Sequence, residues 1–127
     1  MNKLLKAVGA AAALTVVFAG TAGASPATSG SASYYTDPGY GACGTQIDPN
    51  AEMLVAAPAA LWTSPNPNED PLCSKSIKVT FEGKTITVPI KDKCPTCEPT
   101  KIDLSLPAFQ QLSDTAPGII QVDWEIQ

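Results

Sequence analysis

The sequence predicts a small, mainly β domain whose short strands close into a barrel, with one or two short helices. Three observations carry this. Apolar and polar residues alternate with period two over residues 77–90 and again over 120–126. Only one short stretch, 106–112, has room for a regular helix. The candidate strands follow one another at close spacing, separated by Pro-, Gly- and Asn-rich turns, the pattern of a sandwich or barrel rather than of alternating strands and helices.

The elements follow in chain order. Residues 1–24 have the layout of a secretory signal peptide: Lys3 and Lys6, an apolar run over 7–19, then Ala22-Gly23-Ala24 as a small-residue cleavage site. The apolar run is shorter than the ~20 residues a membrane span needs, and Ser25 rather than Cys follows, which argues against a lipoprotein anchor. Residues 25–31 (SPATSGS) are small, polar and unpatterned, a flexible leader, so structure is expected from about Ala32. Ser33-Tyr34-Tyr35 has strand propensity and meets a turn at Asp37-Pro38-Gly39. Residues 53–57 form a short apolar run suited to a buried strand, and 59–62 could make one helical turn. Residues 63–71 (TSPNPNEDP) read as a loop that forms neither helix nor sheet. Ile77, Val79 and Phe81 alternate with polar residues, as do Ile86, Val88 and Ile90. Glu82-Gly83 between them is a two-residue hairpin turn. Ile102-Asp103-Leu104 reads as a strand. Ser105 is placed to cap a helix over 106–112, with Pro107 tolerated in its first turn. After Pro117-Gly118, Ile120, Val122, Trp124 and Ile126 share one face of a last, half-buried strand.

Composition limits the chemistry. Eight basic residues, all lysine, stand against twelve acids for a net charge of −4, and His and Arg are absent. Without His there is no Ser-His-Asp or Cys-His nucleophile and no His-containing zinc site. An acidic, Arg-free chain is a poor match for nucleic acid. From Ser25 onward the charge becomes −6, and all twelve prolines remain. An exported, extracellular protein is expected, with no membrane association once the signal is removed.

Four cysteines in an exported chain favour two disulfides. Cys94-Pro95-Thr96-Cys97 has no second CxxC to complete a zinc ribbon, and Glu98-Pro99 does not continue the helix that a thioredoxin-like thiol needs. Three pairings are open; Cys43–Cys73 with Cys94–Cys97 is the expected one. The longer loop would contribute about 3–4 kcal/mol and the tight one about 2 kcal/mol.

Ala32 to Tyr35 (ASYY), Gly41-Ala42-Cys43-Gly44, Asn66-Pro67-Asn68 with Pro71-Leu72-Cys73, VPIKDKCPTC over 88–97, IDLS over 102–105 with Ala108-Phe109, and a terminal Val-x-Trp strand occur in this order. Together they resemble the double-psi β-barrel group of expansin-like, barwin-like and rare-lipoprotein-A-like proteins, over nearly all of 32–127. The likeness is greatest to secreted inhibitors of papain-like cysteine proteases. It implies a six-stranded, disulfide-stapled barrel acting without metal or cofactor, and a monomer is expected.

The resemblance leaves two functions open, since members of this fold include glycan-cleaving enzymes as well as inhibitors. For a cell-wall glycan partner it implies Asp92 as the proton donor, with Asp37 near a second carboxylate position. Asp92 is flanked by Lys91 and Lys93, and an amine close by would oppose its use as an acid. Its other reading is as an acceptor of backbone hydrogen bonds beside Cys94. Asp103 reads as structural, at the start of the turn into the helix. For a papain-like protease partner, the candidates lie in two stiff loops. Tyr40 and Gly41 follow the 37–39 turn. Trp62, Pro65, Asn66, Pro67 and Asn68 belong to the second loop, and Cys43–Cys73 would join the two into one wedge. Rigid loops fill a cleft at low entropic cost, and Tyr and Trp are common interface anchors. The balance leans away from an enzyme.

Overall fold

A computed structural model describes residues 26–127; the signal segment expected over 1–24 lies outside the described residues. Among the described residues eight strands form: β1 (Thr28–Tyr35), β2 (Gly39–Tyr40), β3 (Gln46–Ile47), β4 (Val55–Pro58), β5 (Ser76–Phe81), β6 (Lys84–Cys94), β7 (Lys101–Ser105) and β8 (Ile120–Ile126). An α-helix, α1 (Leu106–Leu112), follows β7. Six strands close into a barrel in the order β1-β7-β4-β6-β5-β8, with β8 pairing back onto β1. Two neighbouring pairs, β1 with β7 and β4 with β6, run parallel, and the other neighbours run antiparallel. β2 and β3 make a separate two-stranded ribbon.

The hairpin forms as expected. Ile77, Val79 and Val88 are fully buried and Ile90 nearly so. At the tip, Glu82 (φ 47°) and Gly83 (φ 84°) both adopt left-handed backbone, as a type I′ two-residue turn demands. The inner faces of the strands meet Ala108, Phe109 and Leu112 of α1, and Tyr34 packs its ring on Phe109 at a centroid distance of 4.9 Å.

Three expectations need correction. Ordered structure starts at Thr28, inside the expected leader, because residues 28–32 pair with β8. Ladder pairing, not apolar patterning, orders this segment. Gly30 permits it: a Cβ there would sit 1.8 Å from the Thr100 carbonyl oxygen. Ser105 does occupy the N-cap position of α1, but its side chain makes no cap bond. Its Oγ instead accepts from Leu54 N–H (3.1 Å), tying the helix start to the entrance of β4. The 63–71 loop is not free of helix. It holds a 3₁₀ turn, Pro67–Glu69, and a second, Pro71–Ser74, starts in it.

One irregularity positions the functional surface. In β6 the residues 86, 88 and 90 point inward, so strict alternation would send Asp92 inward too. The β4–β6 register shifts instead: Val55 pairs with Ile90, and Ala56 with Asp92. Lys91 is the extra residue of this bulge, and it turns Asp92 to the outer wall. There Ala56, Cys94 and Cys97 form a small second cluster, with Tyr35 packed on it.

Candidate functional site: a two-loop wedge beside two carboxylates

Both expected disulfides are present, Cys43–Cys73 and Cys94–Cys97. The first joins two loops. One is the β2–β3 ribbon, closed by Gly41 N–H to the Thr45 carbonyl (2.9 Å) and Gly44 N–H to the Gly41 carbonyl (2.9 Å). The other is the 63–73 segment. They touch at Gly44, where a Cβ would lie 2.9 Å from the Asn68 side chain. Gly41 sits directly on β6, where a Cβ would meet the Lys91 carbonyl oxygen at 2.4 Å.

The second loop is built on repeated chemistry. Asn66 and Asp70 each cap a 3₁₀ turn that begins with a proline, Pro67 and Pro71. Asn66 accepts from Asn68 N–H (3.1 Å). Asp70, 4% exposed, holds the loop shut. Its Oδ2 accepts from Thr63 N–H (2.7 Å) and Ser64 N–H (2.8 Å), and its Oδ1 from Leu72 N–H (3.0 Å). These amides, Leu72 first, hold its carboxyl below the ordinary value against the opposing effect of burial, and the Lys93 charge helps. Asp70 was not among the sequence candidates. Its signal was the Asx-Pro pair occurring twice within this one loop, Asn66-Pro67 and Asp70-Pro71.

The wedge has one projecting aromatic. Tyr40 is 79% exposed. Trp62 does not project beside it: it is half-buried against the main core, and its Nε1–H donates to the Ala57 carbonyl (3.3 Å). Pro65, Asn66 and Asn68 are exposed and Pro67 is partly so.

On the adjoining outer wall, Asp92 and Asp103 both pair with Ala56 in register, one from each side. Asp92 thus faces Asp103 across β4, whereas Asp37 lies exposed in the turn after β1. Asp92 Oδ2 accepts from the Tyr35 hydroxyl (2.8 Å); Oδ1 accepts from Ala42 N–H (3.0 Å) and Lys93 N–H (2.9 Å). Asp103 accepts from Ser33 Oγ (2.9 Å). Burial raises the Asp103 carboxyl above its ordinary range, partly offset by Ser33 and Lys101, and the Asp92 charge adds to the rise. The Tyr35 phenol is pushed far up by burial, by its bond to Asp92 and by the charges of Asp92 and Asp103, so it stays a donor. Among the described residues no group of three or more His, Cys, Asp and Glu could hold a metal ion.

The family described as lytic transglycolase matches residues 27–124, almost the whole barrel. The chain belongs to this double-psi β-barrel family. Its relatives in the family differ in what they are named for. A papain inhibitor from Streptomyces mobaraensis is 53% identical over 98 residues, which cover 76% of this chain and 68% of that protein. The solved Streptomyces papain inhibitor superposes with a TM-score of 0.78 at 50% identity, covering 80% of this chain and 94% of that one. An expansin variant from Clavibacter michiganensis, in complex with cellohexaose, gives a TM-score of 0.67 at 26% identity over 80% of this chain and 50% of the expansin.

Proposed function

We propose that this double-psi barrel is a secreted inhibitor of papain-like cysteine proteases, and that the wedge enters the protease cleft with Tyr40 leading. The carrying observation is the wedge: two loops in contact, joined by Cys43–Cys73, with one bare aromatic at the front. A chain half identical to a papain inhibitor supports the protease class. The loops are held by backbone hydrogen bonds, prolines and a disulfide, so little ordering entropy is lost on docking. Export rests on the signal segment over 1–24, and the mature chain from Ser25 is the inhibitor.

Titration of papain with the mature protein tests the reading; undiminished activity at micromolar excess would sink it. Tyr40→Ala is expected to weaken inhibition by tenfold or more, about 1.4 kcal/mol. Its melting temperature should stay near that of the parent, because the exposed ring supports no core. Unchanged inhibition by the folded variant would remove Tyr40 from the interface.

The neighbouring carboxylates Asp92 and Asp103 favour a second reading, a barrel acting on cell-wall glycan. Sequence reasoning assigned the acid to Asp92, paired with Asp37. The geometry favours Asp103 as the acid, because its carboxyl is held above the ordinary range beside a second carboxylate. This reading expects turnover of peptidoglycan or cellulose that Asp103→Asn abolishes. Products released equally by parent and variant would exclude Asp103.

A further inference from the structure

We propose that Asp92 is the positioning residue of the wedge, its carboxylate fastening the Tyr40 ribbon to the outer wall of the barrel. The inference rests on the protease-inhibitor reading and extends it to a residue that the sequence offered only to glycan chemistry or to local structure.

The ribbon crosses β6 at the bulge, and two consecutive amides tie it there. Cys43 N–H points to the Lys91 carbonyl (3.4 Å), a long contact. Ala42 N–H makes the shorter one, to Asp92 Oδ1 (3.0 Å), and there a side chain does the holding. Tyr40 lies two residues earlier, with Gly41 against the Lys91 carbonyl between them. Fixing the peptide at Ala42 therefore fixes the direction in which Tyr40 leaves the barrel.

Asp92 is itself held from both sides. Lys93 N–H binds the same oxygen as Ala42 (2.9 Å), and the Tyr35 hydroxyl binds the other (2.8 Å). Tyr35 belongs to β1, Asp92 to β6 and Ala42 to the ribbon, so one carboxylate connects two barrel strands to the wedge. The Lys91 bulge makes this possible, since an unbulged β6 would aim Asp92 into the apolar interior. Such a support lowers the ordering cost of binding and leaves the contact surface unchanged.

The role asks for an acceptor rather than for a titrating acid. An asparagine could offer its carbonyl oxygen to Ala42 and Lys93 N–H and its amide to the Tyr35 oxygen, which accepts as well as donates. Alanine offers nothing. Asp92→Ala and Asp92→Asn are therefore compared for papain inhibition, thermal melting and amide hydrogen exchange. The expected result for the alanine variant is a tenfold or greater rise in the inhibition constant. Ala42 exchange should accelerate by a similar factor, while Val79 and Leu104 in the barrel keep their protection. Asparagine should recover most of both losses.

A folded alanine variant with parental inhibition and a protected Ala42 overturns the proposal. So does a folded asparagine variant that inhibits no better than alanine. If alanine prevents folding, Asp92→Asn is read against the parent: parental inhibition with a protected Ala42 sustains the proposal, and inhibition weakened tenfold or more in a folded variant overturns it. Failure of the unmodified protein to inhibit papain would instead remove the protease reading, and Ala42 exchange would still report whether Asp92 anchors the ribbon.

Discussion

Replacing Cys43 and Cys73 together by serine is expected to cost about 3–4 kcal/mol of stability on the chain-entropy view of a loop this long, and to abolish tight inhibition. The two effects arise separately. The stability loss comes from freeing the 30-residue separation between the cysteines in the unfolded chain. The inhibition loss comes from the folded state, where this bond joins the ribbon to the 63–73 loop beside the Gly44–Asn68 contact. Urea titration reads the first and papain titration the second. The matching Cys94 and Cys97 double variant closes a far shorter loop, on the outer wall rather than in the wedge. It should lose less stability and keep more inhibition. Equal inhibition by parent and Cys43/Cys73 variant would show that the loops act independently.

Asp70→Ala is expected to reduce inhibition on the order of tenfold to a hundredfold, because three backbone amides lose one shared, charged acceptor. The pH dependence of stability supplies a second readout. The Asp70 carboxyl lies below its ordinary value in the folded state. Its contribution is therefore fully present above the unfolded value, about 3.9, and is lost as pH falls through the folded one. Asp103 has the opposite sign: its raised carboxyl favours the folded state when protonated, and that contribution is lost as pH rises through its folded value. Melting curves between pH 2 and 6 should show a steeper acid-side loss in the parent than in Asp70→Ala. A variant as acid-sensitive as the parent would mean that Asp70 is not the group responsible.

Most of the barrel was legible because its strands carry their burial in their spelling. Residues 77–90 and 120–126 alternate, and the structure buries most of the alternating set, with Phe81, Ile86 and Ile126 partly buried against it. β1 was only half legible: Ser29, Gly30 and Ser31 carry no apolar signal, and their order comes from β8 and from a close approach to Thr100. The wedge was readable in outline, from its prolines and cysteines. The orientation of Trp62 was not readable, because a tryptophan in a Pro-rich loop has no pattern to show which way it turns; it packs on the core and bonds Ala57. The partner of Asp92 could not be read at all. Asp92 and Asp103 meet through two strand pairings and a single-residue bulge, none of which leaves a local trace.

The closed ring of strands has a consequence for survival beside a protease. Every barrel strand is paired on both sides, so the barrel offers no free backbone edge for an enzyme that grips extended peptide by strand addition. The exposed turns remain open to cutting, those of the wedge among them. A cut between residues 44 and 72 would leave both new ends covalently tethered through Cys43–Cys73. Such a nick frees no fragment.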